Sequence, residues 1–217
     1  MREKIDCFLP CADIADLAET IGDLSASKTV QHIHLLTGDA TNINNIPQGV
    51  ELLETRHPLS TDAILQIAER TDAEYVLIST KPTPVRLGQH SLERFLRVAA
   101  DANAAMVYSD HYSVVEGTVV RHPVIDYQKG SVRDDFDFGQ LVLVNASLLH
   151  EYAATPPVHK YAHAGLYDLR LFLSRKGEIF HINEYLYTEE ELDNRKSGEK
   201  QFDYVNPRNR AVQEEME

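Results

Sequence analysis

Lys81 follows the apolar segment "EYVLIST" and precedes "PTPV". An ammonium is a compact, strongly hydrated charge, and phosphate binding is a common use for it. Pro82 and Pro84 stiffen the loop that carries it. The plainer alternative is an exposed loop lysine. Asp110 and His111 stand together in "YSDHY". The pair suits a metal ion or a polar ligand; otherwise Asp110 simply starts a turn. "VRDDFDFG" carries Asp134, Asp135 and Asp137, which can serve an acceptor group or a metal. Acid runs are more often solvated turns, and Asp137, between Phe136 and Phe138, is the best candidate of the three. Asp168 in "LYDL" can act as a base, or pair with Arg170 or Arg133. His159 and His163 have the spacing of one helix face, but no glutamate stands between them as in the helical zinc motif.

The elements that must position these groups are legible from periodicity. "IDCFLP" reads as a buried strand stopped by Pro10, with Asp13 as cap of a following helix that carries Leu17, Ile21 and Leu24. "VQHIHLL" is a second strand that ends in the turn signal "TGD", which sets Thr37 and Asp39 just beyond it. "VELLE" is a third. "STDAILQIAERT" opens with a capping Ser60 or Thr61 and carries an apolar stripe. The strand "EYVLIS", the amphipathic helix "SLERFLRVAADAN" and the strand "AMVYSD" follow. This alternation predicts an α/β fold with a largely parallel central sheet and helices on both faces. Beyond Asp110 the pattern changes. "YSVVEGTVVRHPV" predicts a hairpin turning near Gly117, "QLVLVN" a strand, "ASLLHEY" a short helix, "LYDLRLFLSRKG" a helix ending at Gly177, and "EIFHINEYLYT" one or two strands.

Composition bounds the function. The 217 residues suffice for one large domain with a substantial core. A formal net charge of -13 disfavours nonspecific binding to nucleic-acid backbones, which needs a basic surface. One phosphate-bearing ligand can still be held by local basic groups and backbone amides. The two cysteines, Cys7 and Cys11, exclude a disulfide scaffold, and without a second ligand pair they read as small buried residues. No early apolar run has the length of a signal peptide or membrane span, so the expectation is a cytoplasmic protein. Asn145 in "NAS" matches a glycosylation triplet of the kind that arises by chance. From Thr188 on the chain is charged and poor in large apolar residues. The expected division is a domain over 1–188 and an extension over 189–217. That extension is a solvated terminal helix or a linker towards further domains.

The order and spacing of "IDCFLPCAD", "LSTDAILQIAERTDAEYVLIST", "AAMVYSDHY", "VRDDFDFG" and "AGLYDLRLFLSRKGEIFHINEYLY" resemble the family 2 glycosyltransferases of the GT-A fold. The likeness runs over about Ile5 to Thr188 and is nearest to a divergent bacterial subgroup. It implies a nucleotide-sugar donor, a glycan or glycoconjugate acceptor, and inverting displacement at the anomeric carbon. The resemblance retains Asp39 and Asp110 at the nucleotide-sugar site and Asp168 near the catalytic base, and the residues themselves add Pro10, Thr37 and Lys81 to that site and Asp137 as a second catalytic carboxylate. Two signatures depart from the family. Ser79, Thr80 and Lys81 stand where an Asp-x-Asp motif would hold Mn2+ or Mg2+, so no cofactor is assigned, and Asp110 with His111 is the alternative metal pair. Gly165 and Leu166 stand where a Glu-Asp pair would supply the base. A second expectation is therefore a GT-A domain that binds a sugar or nucleotide, or docks a partner, without catalysis. A nucleotidyltransferase is a third, opposed by "PCADIAD" in place of a Gly-rich basic loop after the first strand.

Overall fold

The computed structural model describes residues 3–40, 43, 45–130, 136–155, 159–190 and 207–216. Strands β1 (Ile5–Pro10), β2 (Val30–Thr37), β3 (Val50–Glu54) and β4 (Tyr75–Ser79) alternate with helices α1 (Ala18–Ala26) and α2 (Thr61–Arg70). The short strand β5 (Val85–Leu87), helix α3 (Ser91–Asp101) and strand β6 (Met106–Ser109) follow. Next come the hairpin β7 (His111–Val115) and β8 (Thr118–His122), strand β9 (Leu141–Asn145) and helix α4 (Ala146–Ala154). Helix α5 (Gly165–Lys176), strands β10 (Ile179–Ile182) and β11 (Tyr187–Glu190), and helix α6 (Pro207–Met216) complete the order.

Seven strands form one sheet in the order β10-β6-β9-β4-β1-β2-β3. All its pairings are parallel except those of β9, which runs antiparallel between β4 and β6. The expected α/β fold with a largely parallel sheet is what the chain adopts. The segments read as its first, second and fourth strands lie side by side in it. Residues alternate between faces along a strand. Cys7, Leu35 and Leu77 pack with Leu17, Ile21, Phe95 and Ala99 of the α1–α3 side. Phe8, Leu36, Val76 and Ile78 pack with Ile64, Ile67, Leu149 and Leu169 of the α2–α4–α5 side. Both faces are thus covered, as a parallel sheet requires. Cys7 and Cys11 are free and buried, and burial pushes both thiols up.

Local signals explain the element boundaries. Ser60 caps α2 by accepting from Ala63 N–H. Asn145 caps α4 by accepting from Leu148 N–H, which accounts for its place in the "NAS" triplet. Asp13 does not cap α1. It accepts from Ala15 N–H in a turn, and the helix starts only at Ala18. The β7–β8 hairpin turns at Glu116 and Gly117, both with positive φ (48° and 77°), as a two-residue turn matched to strand twist requires. His159 and His163 precede α5 and do not share a helix face. The strand β5 went unread. It joins β11, β7 and β8 in a second sheet of four strands, ordered β5-β11-β7-β8. Among the described residues no helix is long and apolar enough to cross a membrane.

Helix α5 starts against the start of α2. Thr61 N–H donates to Tyr161 O, and Leu166 N–H donates to Leu59 O. At Gly165 a Cβ would lie 2.2 Å from the Ser60 carbonyl carbon and the Thr61 nitrogen. Those atoms belong to backbone and cannot swing aside. Gly165→Ala is expected to lower unfolding stability by about 1–3 kcal/mol, because overpacking outweighs the helix propensity that alanine adds. A denaturant melt at or above the wild-type midpoint would show that the helices separate easily.

Candidate functional site

The C-terminal ends of β6, β4, β1 and β2 share one edge of the large sheet, together with the start of the antiparallel β9. Asp110 follows β6. Gly139 and Gln140 precede β9. Lys81 lies two residues beyond β4, Pro10 ends β1, and Thr37 ends β2 with Asp39 beyond it. Strands lie about 4.8 Å apart, so Asp110 and Thr37, four strands apart, are separated by roughly 19 Å along this edge. Pro10 and Lys81 belong to neighbouring strands. Pro10 and Thr37 are buried, and Asp39 is exposed. Thr37 accepts from Asp39 N–H through Oγ1 at 3.3 Å, which shapes the turn.

Lys81 turns towards the second sheet. Its ammonium donates to Oε1 of Glu189, a carboxylate only 2% exposed on β11. Glu189 also accepts from Gln140 N–H at 3.0 Å, and His111 Nε2 lies 3.4 Å from Oε1. Burial would raise the Glu189 carboxyl, but His111 and Lys81 outweigh it and hold the group below its ordinary range. The Gln140 side chain closes the loop of Lys81, donating to Thr83 O at 2.7 Å, Ser79 Oγ at 3.1 Å and Lys81 O at 3.3 Å. Ser79 Oγ in turn donates to Lys81 O at 3.0 Å. Thr80 Oγ1 donates to Gly139 O at 3.4 Å, so two engaged hydroxyls and one ammonium offer no anionic ligand at the end of β4. That position does not suit a divalent cation.

Beside this ion pair the ring of His111 is stacked between His122 (centroids 4.4 Å apart) and Tyr187 (5.2 Å). Its two nitrogens are buried without a hydrogen bond among the described residues. His122 Nε2 lies 2.9 Å from Asp137 Oδ2, and Asp137 Oδ1 accepts from Gly139 N–H at 2.8 Å. Burial would raise the Asp137 carboxyl, but those two bonds prevail and hold it at about 2. Gly139 has φ 71°, and a Cβ there would meet the Tyr187 hydroxyl at 2.2 Å. Its bare backbone lets Tyr187 accept from Gln140 N–H at 2.8 Å. Asp134 and Asp135 lie outside the described residues.

Asp110 and His111 do not converge. They are adjacent along the chain and face different partners. Asp110 Oδ1 accepts from Val124 N–H at 2.9 Å and lies 2.9 Å from His181 Nε2, whose other nitrogen lies 2.7 Å from Asp126. His181 also stacks on Tyr108, at 4.8 Å. Asp168, in the first turn of α5, accepts from the Tyr152 hydroxyl at 2.8 Å. Just before that turn, Ala162, His163 and Ala164 each donate a backbone N–H at 2.8 Å to the carboxylate of Glu215 in α6. Sequence reasoning missed Glu189, Gln140, His181 and Glu215. The one local signal was the alternation of "YTEE", which places Tyr187 and Glu189 on the same strand face.

No protein-family model matches the chain, and no curated protein does either. Solved structures do. One is Staphylococcus aureus TarS 1-349 in complex with UDP-GlcNAc, with TM-score 0.59 and 13% identity over 94% of this chain and 62% of that one. A second is the 4-diphosphocytidyl-2C-methyl-D-erythritol synthase from Anaerococcus prevotii, with TM-score 0.53 and 12% identity over 99% of this chain and 97% of that one. Francisella tularensis 2-C-methyl-D-erythritol 4-phosphate cytidylyltransferase gives 0.50 and 9%, covering 92% and 96%. The chain spans less than two thirds of the TarS structure and nearly all of the synthase and the cytidylyltransferase. At such identities the likeness establishes the fold, which is GT-A-like.

Replacing Glu189 by Gln leaves the Lys81 ammonium without its counter-charge in a site where it is only 24% exposed. The expected loss is about 3 kcal/mol near neutral pH, at the low end for breaking a buried pair because Lys81 reaches solvent. A carboxyl lowered by folding stabilises the fold above its unfolded value, about 4.3 for glutamate, and that contribution fades as pH falls through the folded value. The gap between wild type and Glu189→Gln in denaturant melts should therefore be constant near neutrality and close below about pH 4. A gap that persists unchanged into acid would show that the variant acts through packing instead.

Proposed function

We propose that the chain binds a nucleotide-sugar along the shared strand edge and, as its resemblance to the family 2 glycosyltransferases implies, passes the sugar to an acceptor hydroxyl with inversion. Open α/β sheets hold ligands outside the carboxyl ends of their parallel strands. The observation that carries the reading is Lys81. Its ammonium stands at the end of β4, is fixed by a buried carboxylate, and is still partly exposed. An ammonium has three N–H donors, so one bond to Glu189 leaves others for a phosphate oxygen. Pro10, Thr37 and Asp39 would then flank the nucleoside, with Asp110 at the far end of the edge. The GT-A-like relatives support a nucleotide-binding transferase, and TarS is a case with UDP-GlcNAc bound.

A second reading, a domain that binds its ligand without catalysis, is favoured by the start of α5. Gly165 is pressed on backbone where the resemblance would place an acidic side chain, and Asp168 is engaged by Tyr152.

Calorimetric titration of UDP, CDP and their sugar conjugates, first in EDTA and then with Mn2+, tests the binding. Saturable binding in EDTA is expected. Lys81→Ala should weaken it by about 1.5–3 kcal/mol, the range for hydrogen bonds to charged groups, once a melt confirms that the variant is folded. Binding that strictly requires Mn2+ would move the phosphate site away from Lys81. Binding without turnover of the sugar conjugate would favour the second reading, and the absence of any nucleotide binding would sink the first and leave a domain that binds a sugar or docks a partner.

A further inference from the structure

The opposite end of the large sheet carries an unassigned cluster. Asp6 on β1 and His32 on β2 are register partners, and Asp72 follows the end of α2. His32 Nδ1 lies 3.1 Å from Asp6 Oδ1 and 3.4 Å from Asp72 Oδ1. One atom from each residue falls within 4.8 Å of the other two. We propose that Asp6, His32 and Asp72 form a binding site for a divalent cation of the zinc type, completed by water.

The distances favour this over a simple ion pair. Metal–ligand bonds of about 2.0–2.2 Å in a tetrahedron put ligand atoms roughly 3.3–3.5 Å apart. The two separations from the ring nitrogen are already near that value. Nδ1 has at most one proton to share between the two carboxylates that face it. A cation would satisfy both together with the nitrogen lone pair.

The surroundings aim each ligand. Asp6 is fully buried, and its Oδ2 accepts from Asp72 N–H at 3.0 Å and Ala73 N–H at 3.1 Å. That leaves Oδ1 directed at His32. Gln31 donates to Asp72 Oδ1 at 2.6 Å, the kind of outer partner that fixes a ligating carboxylate. The cluster lies just past the C-terminus of α2, where the helix dipole favours positive charge. Side-chain exposures of 43% for His32 and 68% for Asp72 leave a path for the ion.

A ligand set of one imidazole and two carboxylates suits Zn2+ or Co2+ better than Mg2+, which prefers all-oxygen sites with several waters. This end of the sheet is the one away from the nucleotide edge, so the ion would tie β1, β2 and the α2–β4 turn together and take no part in transfer.

The test uses the full chain, stripped with chelator and titrated with Co2+ and with Zn2+. One Co2+ per chain is expected, with the intense visible absorption of a four-coordinate site, displaced by Zn2+. The melting temperature should rise with Zn2+. His32→Ala and Asp72→Asn should each weaken binding by at least the roughly 10–100-fold that loss of an outer partner costs. His159→Ala and His163→Ala should leave it unchanged. Both test positions reach solvent, so the variants should fold, which a melt without metal checks. No saturable binding, or binding that survives both ligand variants, would overturn the site.

Discussion

Glu189 is a carboxylate removed from water at the seam between two sheets, and it cannot stand there unpaired. Burying an isolated charge is prohibitive, and a buried ion is retained only with a counter-charge and hydrogen bonds that complete its shell. Lys81 brings the counter-charge from the end of β4, and Gln140 brings an N–H from the start of β9. His111 comes from β7, in the same small sheet as Glu189. Once these are in place the β4 loop is no longer free to vary. Gln140 ties Ser79, Lys81 and Thr83 through one side-chain amide, and Gly139 must lack a Cβ so that Tyr187 can reach the backbone of β9. The seam, more than the sheet itself, fixes where the lysine ammonium points.

Very little of that seam could be read along the chain. The strands could be, because their apolar runs are bounded by turn signals and their two faces alternate. β1, β3 and β4 fall where the residues put them, and Ser60 marks the start of α2. β5 was invisible because three residues, Val85–Leu87, carry no periodicity, and the strand exists only through its pairing with β11. The Lys81–Glu189 pair spans 108 residues of sequence. Neither partner sits in a local pattern that asks for the other. Lys81 was legible as a special lysine from its prolines, whereas its carboxylate was hidden in a segment that reads as a charged tail. Asp13 was misjudged for a different reason. An aspartate before a helix can make its own short turn instead of capping, and here the chain spends Ile14–Leu17 in that turn before α1 begins.

The two ends of the large sheet show how differently acids can be employed on one scaffold. At the end where the parallel strands finish, Asp110 and Glu189 are buried and matched to specific donors. If a ligand anion binds there as proposed, its shape and placement would count for more than its total charge, which accords with a chain of net charge -13 that would repel polyanions. At the other end Asp6 and Asp72 converge on a single imidazole, leaving negative charge in excess beside a helix C-terminus. On the proposed readings, one end would meet an anion and the other a cation.

This division bears on where a base for sugar transfer would come from. A general base works best when its pKa lies near the working pH. Asp137, held at about 2 by His122 and the Gly139 N–H, remains charged but accepts a proton poorly. Its two bonds make it a fixed anion, suited to orienting a hydroxyl. Asp168 has the Tyr152 hydroxyl on it, and the backbone N–H groups before α5 are taken by Glu215. Transfer through either region would add an acceptor bond at the lone pairs these carboxylates still carry, or exchange one of these bonds for it. Tyr152 is the easier partner to displace, since it is a single hydroxyl on Asp168 whereas Asp137 is held by two partners. An acceptor hydroxyl that took the place of the Tyr152 hydroxyl would leave Asp168 with a reactive proton donor in its stead. Were Asp168 the base, as proposed, catalysis would need an acceptor that can reach the first turn of α5.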